Sequence, residues 1–409
     1  MPQRFGSGLA MRAASVLEAL AHRFDVHLFV APVAGDLGPL TDFVRAHTVQ
    51  IGGLDLTTNL DPLFALISRV LDPAERTQAE LAYPKPYLSR FCTGDGANLL
   101  LEWSNAFPVG CIHVMRLYLA PLVQPFLRRP RSARPFCVLD LDDDEIQSCE
   151  RLARLHADAG NRRAAAAAAA EAGKYRAFAR RYFPCFDRVI VCSGADASRL
   201  AGLFPDTRFA IVPNGFRPID HALPRHPSSL GPLRLLFVGT LGYFPNIDAA
   251  LFLCRQVLPE LRRLTEREIC IDLVGAGDTT ALSGLIRDPD VRLRGFVEDL
   301  APLYAAADVA VVPLRGGGGT RIKILEAFAH RVPVVTTRLG AEGIEATDGE
   351  HVLVADDADA FAQACLSVKQ KPDLATELAA GAAALLDARY SPAQVGGAVD
   401  KAYGLPVVR

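Results

Sequence analysis

The chain has 409 residues, 50% of them hydrophobic and 22% charged, and a formal net charge of -2. That composition is globular and excludes a disordered, collagen-like or disulfide-dense chain, while the balanced charge gives no field to gather nucleic acid. Nine cysteines are scattered from Cys92 to Cys365 with no C-x-x-C pair and no Cys/His cluster. Neither a zinc site nor a disulfide framework is expected, and a reducing cytoplasm fits best.

No apolar run reaches the roughly 18 residues of a membrane helix, and Met1-Pro2-Gln3-Arg4 leads into glycines rather than a signal-peptide core. The first half then reads as a helix over 10–22 and strands over 26–33, 111–117, 136–141 and 188–192. A parallel α/β domain is expected to open on a strand before its glycine turn. Here Gly6-Ser7-Gly8 comes almost at once, so either that strand is missing or the true start lies upstream. The alanine run over 164–170 predicts a surface helix without chemistry. Val212-Pro213-Asn214-Gly215 closes the first unit, and 216–232, with prolines at 218, 224, 227 and 232, reads as a linker. The second half predicts strands over 234–238, 270–274, 309–313 and 333–337, with helices over 246–264, 300–306 and 321–330.

Strands alternating with helices imply parallel sheets. The expected fold is α/β, two Rossmann-like domains facing across a cleft: an acceptor domain over 1–215, the linker 216–232 and a donor domain over 233–386. A terminal segment, 387–409, is expected to cross back to the first domain.

The informative segment is 311–329. A strand ends at Pro313, Gly316, Gly317, Gly318 and Gly319 follow, and a helix begins near Thr320. Glycines let a backbone approach a ligand, and a helix N-terminus offers free N–H groups to an anion. Arg321 and Lys323 place two cations in the first turn, where the helix itself disfavours them, so an anion such as a diphosphate is expected to compensate. Glu326, one turn beyond Lys323, is an acceptor suited to two ribose hydroxyls. The plainer reading is a flexible loop with Lys323 and Glu326 as a solvent-facing pair. Further glycine turns, at Gly239-Thr240, Gly275-Ala276-Gly277 and Gly295-Phe296-Val297, follow other strands of this half, at the edge where open α/β sheets bind ligands. Gly275-Ala276-Gly277-Asp278-Thr279-Thr280 lacks the third glycine of a dinucleotide fingerprint, which weakens a nicotinamide or flavin reading.

The second half, from about residue 233 to 386, resembles the donor domain of retaining glycosyltransferase family 4, of the GT-B fold. The resemblance is carried in order by Phe237-Val238-Gly239, 243–248, 274–277, 295–297, 307–309, Gly319 to Ala327, 333–337 and 340–343. The first half matches more loosely, through Gly6-Ser7-Gly8, Ser193 and 212–215. The resemblance implies that Glu326 binds the donor ribose, Arg321 and Lys323 the diphosphate, and Gly239-Thr240 the sugar or phosphate. It further implies that the Phe296-Val297 backbone meets the base and that Gly8 reaches the diphosphate from the first domain. The loop Gly317-Gly318-Gly319-Thr320 completes the implied donor site.

Two positions depart from the family pattern. Gly318 stands where a second, sugar-holding glutamate is common, with Glu342 a candidate substitute. Thr240 and Asn246 stand where an arginine and a lysine are usual, so the cations are relocated into the helix.

The resemblance implies a hexosyltransferase-type enzyme taking a UDP- or GDP-sugar, with retention, in polysaccharide or glycoconjugate biosynthesis. Arg321, Lys323 and the helix end could hold the departing diphosphate, so neither a metal nor a separate cofactor is expected. His113 is either a functional acceptor-domain histidine or a satisfied core residue. The run Asp140 to Asp144 reads as acceptor hydroxyl binding, as a solvated charge run or, less readily, as a metal site. The basic-aromatic stretches 128–134 and 174–182 read either as solvated surface or as peripheral contact with a membrane bearing a lipid-linked acceptor. Expected partners are the nucleotide-sugar and a small-molecule, glycan or lipid-linked acceptor, with no nucleic acid. Two competing readings are a nucleotide-sugar 2-epimerase, against which Gly318 argues, and a non-catalytic nucleotide-sugar-binding protein.

Overall fold

The computed structural model describes residues 1–4, 6–33, 40–219, 229–319 and 321–406. Thr320 and much of the predicted linker lie outside them. The chain divides into two compact units, Met1–Asn214 with Val395–Arg409, and Gly215–Gln394.

In the first unit, β1 (His27–Val30) and β2 (Gln50–Gly53) form a parallel pair. A parallel sheet runs in the order β3 (Cys111–Met115), β4 (Phe136–Asp140), β5 (Arg188–Val191), β6 (Phe209–Ile211). Among the described residues no strand precedes the first helix, Gly8–Ala21, whose N-terminus is capped by the Ser7 hydroxyl accepting from the Ala10 N–H. The middles of the central strands are apolar because both faces are covered. Val138 and Ile190 pack with Val16 and Leu20 of that helix and with Val395, Val399 and Ala402 of the helix Pro392–Tyr403. Leu139, Val189 and Val191 pack on the other face with Tyr175, Phe178 and Tyr182.

Those three aromatics lie on the helix that carries the alanine run. The run itself is helical and, apart from Ala168, not buried, as expected; it leads the 21-residue helix Arg162–Tyr182, whose later turns bury Ala172, Tyr175, Phe178, Ala179 and Tyr182 at helical spacing. The same burial removes the aromatic part of the membrane reading for 174–182. In the other stretch, Arg131 and Arg134 face Asp187, at 3.6 and 3.1 Å. No helix among the described residues is long and apolar enough to cross a membrane.

The second unit is one six-stranded parallel sheet of β7 (Leu233–Val238), β8 (Ile269–Val274), β9 (Val291–Gly295), β10 (Val309–Val312), β11 (Val334–Thr336) and β12 (Leu353–Val354). Its order is β12-β11-β10-β7-β8-β9. From the central pair β7 and β10, successive connections run outward on both sides, and that reversal is the topological switch point of a doubly wound sheet. The helix predicted over 246–264 is present as Phe244–Phe252 and Leu258–Leu264, joined by a wide turn at Leu253–Val257. Phe216 and Ile219, inside the predicted linker, pack on this unit's core.

The first unit also buries a charge network. Arg12 lies within 2.8 Å of Asp140 Oδ1 and donates to the Val212 carbonyl and Asn214 Oδ1. Burial alone raises the Asp140 carboxyl, but Arg12 and His113 outweigh it and hold it at about 2. Arg12→Met strips a fully buried carboxylate of its main partner. The expected loss is about 3–5 kcal/mol in urea unfolding of the full chain; a loss under about 1 kcal/mol would show that the network carries no stability.

Candidate functional site

Two loops meet at the switch point. One follows β7 through Gly239, Thr240 and Tyr243 into the helix Phe244–Phe252; the other follows β10 through Leu314 to Gly319 into the helix Ile322–Ala329. The second helix is strongly one-sided, burying Ile324, Leu325, Ala327, Phe328 and Ala329 against the sheet, and this sets which way its polar residues can point. It begins at Ile322, one residue later than the predicted span 321–330. Arg321 therefore takes the N-cap position, where its side chain gives no cap, and only Lys323 lies in the first turn.

Lys323 is the centre of the arrangement. Its ammonium donates to Asn246 Oδ1 at 2.8 Å and lies 5.0 Å from the Phe237 ring centroid, while the Asn246 amide donates to the Thr240 carbonyl at 2.9 Å. The helix lysine has thus come to the turn after β7, where Thr240 and Asn246 stand in place of cations. Gly239 makes room for it: a β-carbon there would lie 2.8 Å from the Lys323 Nζ. Gly275, on β8's end, packs so closely that a β-carbon would lie 1.8 Å from the Gly239 carbonyl oxygen.

The electrostatics are unbalanced in one direction. Burial pushes the Lys323 ammonium down to about 7; the neighbouring Arg321 charge adds to this, and Glu326 opposes it. Arg321 is itself buried and its guanidinium donates to the Gly318 carbonyl. Burial pushes the Glu326 carboxyl up to about 7, against a hydrogen bond from Tyr304 and the attraction of Lys323. A cation held below its ordinary pKa beside a second cation is a place an anion would stabilise.

The glycine loop is tied to its neighbours by an ion pair and a hydrogen bond. Arg315 makes a two-pronged pair with Asp248 of the opposite helix, at 2.9 and 2.6 Å, over the Phe252 ring. The buried Thr337 hydroxyl donates to the Leu314 carbonyl. Gly317 and Gly319 take φ of 89° and 74°, a region that other residues enter at a cost. Gly317 faces Tyr243, whose hydroxyl would lie 3.2 Å from a β-carbon there. Gly318 brings no carboxylate. Glu342 ends the short helix Arg338–Ala341 and lines a shallow pocket with Arg338, Asp348 and Asp356.

Thr240 is exposed on the β7 turn. Phe296 and Val297 follow β9, two strands from β7; Phe296 is 72% exposed and Val297 packs on the core. Gly8 is exposed at the start of its helix in the first unit. His113, also in that unit, is held by its surroundings: its Nδ1 is 2.8 Å from the Tyr403 hydroxyl and its Nε2 3.4 Å from Asp140 Oδ2.

The acidic run beside it is largely buried and paired, which corrects the reading of it as a solvated charge run. Asp140, Asp142 and Asp144 are buried, and they pair with Arg12, Arg116 and Arg199. Arginines from distant parts of the chain compensate the run, and sequence adjacency could not show them.

Tyr304, Asp248 and Arg315 were not singled out from the sequence. Asp248 lies inside the helix Phe244–Phe252 and Arg315 in the loop after β10, and only their pairing across the switch point gives them a role.

Two parallel α/β units, the second doubly wound with glycine loops and a cationic helix at its switch point, have the GT-B fold. Residues 232–371 match the family model described as Glycosyl transferases group 1. Among solved structures, the fold resembles sucrose-phosphate synthase from Thermosynechococcus elongatus at a TM-score of 0.66 and 17% identity, covering 98% of this chain and 93% of that one. It also resembles Anabaena HepE, solved in complex with UDP, at a TM-score of 0.61 and 15% identity, covering 99% and 97%. A curated relative, an uncharacterized 44.6 kDa protein in the cps region of Klebsiella pneumoniae, is 23% identical over 186 residues. That match takes in 44% of this chain and 48% of the relative, about half its length.

Two glycine substitutions separate flexible from rigid packing here. Gly239→Ala meets only the flexible side chains of Lys323 and Asn246, so the melting temperature should stay near wild type. Gly275→Ala meets backbone and should cost about 2 kcal/mol or more in thermal unfolding. Equal melting temperatures for the two would contradict this geometry.

Proposed function

We propose that the chain is a nucleotide-sugar-dependent glycosyltransferase of the hexosyltransferase type, moving a sugar from a UDP- or GDP-sugar to a hydroxyl acceptor. The observation that carries the reading is the pair Lys323 and Glu326 on successive turns of one helix at the switch point of the second sheet. That helix's free N–H groups and the Lys323 ammonium suit a diphosphate, and the Glu326 carboxylate suits the hydroxyls of a ribose. The match of 232–371 to the glycosyl transferases group 1 model supports the same reading. The UDP complex of the Anabaena protein favours a nucleotide diphosphate as ligand.

Breaking the sugar–phosphate bond leaves negative charge on the departing diphosphate. Lys323, Arg321 and the helix end would stabilise it without a metal, and in such reactions most of the rate enhancement comes from stabilising the charge that develops. Retention of configuration and family 4 membership are part of the proposal and rest on the sequence resemblance. The relative in a cps region supports a polysaccharide or glycoconjugate acceptor. A cytoplasmic location, with a small-molecule, glycan or lipid-linked acceptor, belongs to the same reading.

Turnover assays on a panel of UDP-, GDP- and dTDP-sugars test the proposal. Transfer or slow donor hydrolysis is expected with at least one, whereas nucleotide binding without either would favour the non-catalytic alternative. Lys323→Ala and Glu326→Ala should each weaken UDP or GDP binding by about tenfold or more; wild-type affinity in both would remove the site assignment. The pH dependence has a defined sign. Lys323 binds phosphate as the cation, so affinity falls as pH rises above about 7, and binding there takes up a proton. Glu326 accepts as the carboxylate, so nucleotide affinity also falls as pH drops below about 7. Titration calorimetry in buffers of different ionisation enthalpy reads the proton directly, and release rather than uptake above neutrality would contradict the role of Lys323.

A further inference from the structure

Tyr304 lies on the helix Ala301–Ala306 and is 1% exposed. Its hydroxyl donates to Glu326 Oε2 at 3.2 Å. Its ring lies flat on the His330 imidazole, 4.4 Å between centroids and 11° between planes, and His330 is itself buried at the end of the Glu326 helix. The phenol is therefore fixed by stacking on one side and aimed at a single carboxylate oxygen on the other. A phenylalanine would fill the same space without a hydroxyl to satisfy, so the hydrogen bond is what tyrosine adds at this position.

We infer that Tyr304 is a positioning residue for nucleotide recognition: it holds Oε2 of Glu326 so that the carboxylate faces a ribose as an oriented, ionised acceptor. This rests on the ribose reading of Glu326 given above. Two effects act together. A carboxylate on a flexible stem would otherwise spread over several rotamers, and anchoring one oxygen leaves Oε1 and the remaining lone pairs in a set direction. A donor on a buried carboxylate also favours its charged form. Without that donor Glu326 would meet the ribose as an acid more often, with a proton where an acceptor is needed. The groups that bear on it are few. Lys323 acts from one turn earlier with Arg321 acting on Lys323, Tyr304 acts from its own helix, and His330 stacks behind Tyr304 under the influence of Asp299.

The experiment compares UDP with 2'-deoxy-UDP, and GDP with its deoxy form, by calorimetric titration of the full chain between about pH 6 and 9. The ratio of the two affinities isolates the ribose contact, because Lys323 and Arg321 meet the same diphosphate in both. Wild type should prefer the ribonucleotide by about tenfold or more at the alkaline end, with the preference fading as Glu326 takes up a proton. In Tyr304→Phe the preference should shrink and fade at a higher pH than in wild type. In Glu326→Gln it should be small at every pH. Biosynthetic replacement of tyrosine by the more acidic 3-fluorotyrosine removes no atom from the core and should move the fading point to lower pH. A Tyr304→Phe or fluorotyrosine protein with the wild-type ratio and fading point overturns the inference and leaves the ribose reading standing. A Glu326→Gln protein that keeps the wild-type preference overturns the ribose reading itself.

Discussion

Lys323 reaches the turn after β7 only because Gly239 leaves the space and Asn246 offers an oxygen there. Much else in the second unit serves that contact. The strand order brings β7 and β10 side by side although the chain makes two further strands between them. The apolar face of the helix Ile322–Ala329 seals onto the sheet, so its first turn projects over the neighbouring strand's loop. Gly275 lets the next loop close against Gly239. Arg315 and Asp248 then clamp the glycine loop to the opposite helix, so the backbone around the ammonium is held before any ligand arrives.

Buried charge is compensated differently at two places, one in each unit. In the first, Arg12 and Asp140 neutralise each other at close range, and Asp140 is held well below the usual carboxylate range. Nothing further is needed for that network to be stable. In the second, Lys323 donates to an amide oxygen rather than a carboxylate, sits near another cation, and is pushed down towards neutrality. A cation left undercompensated lowers the cost of placing an anion beside it. The acidic run of the first unit attracts attention in the sequence but belongs to the first kind of arrangement. Lys323, singled out in the sequence with its glycine loop, belongs to the second.

Much of the layout is legible in the residues. Strands β3, β4, β5, β7, β8, β10 and β11 fall within a residue or two of their predicted places, because buried parallel strands are short apolar runs bounded by glycine and polar turns. Two of the strands not foreseen have physical reasons for hiding. β12 is two residues long, and β9, at the sheet edge, alternates Arg292 and Arg294 with its apolar residues. The helix register of Lys323 and Glu326 was legible from their spacing. The direction of Arg321 was not, because the helix starts one residue after it and its guanidinium turns back to the Gly318 carbonyl.

Local pattern by itself determined the parallel α/β architecture, the glycine turns at strand ends and the one helix whose polar face carries a lysine and a glutamate in successive turns. These follow from periodicity and backbone chemistry, which act over a few residues. Tertiary structure alone decided which charges are spent and which remain available. Asp140 meets Arg12 from 128 residues away, Tyr304 meets Glu326 from 22, and Lys323 meets Asn246 from 77. Such pairings depend on strand order and on how deeply each side chain is buried, and neither is written in the spacing of the residues that take part.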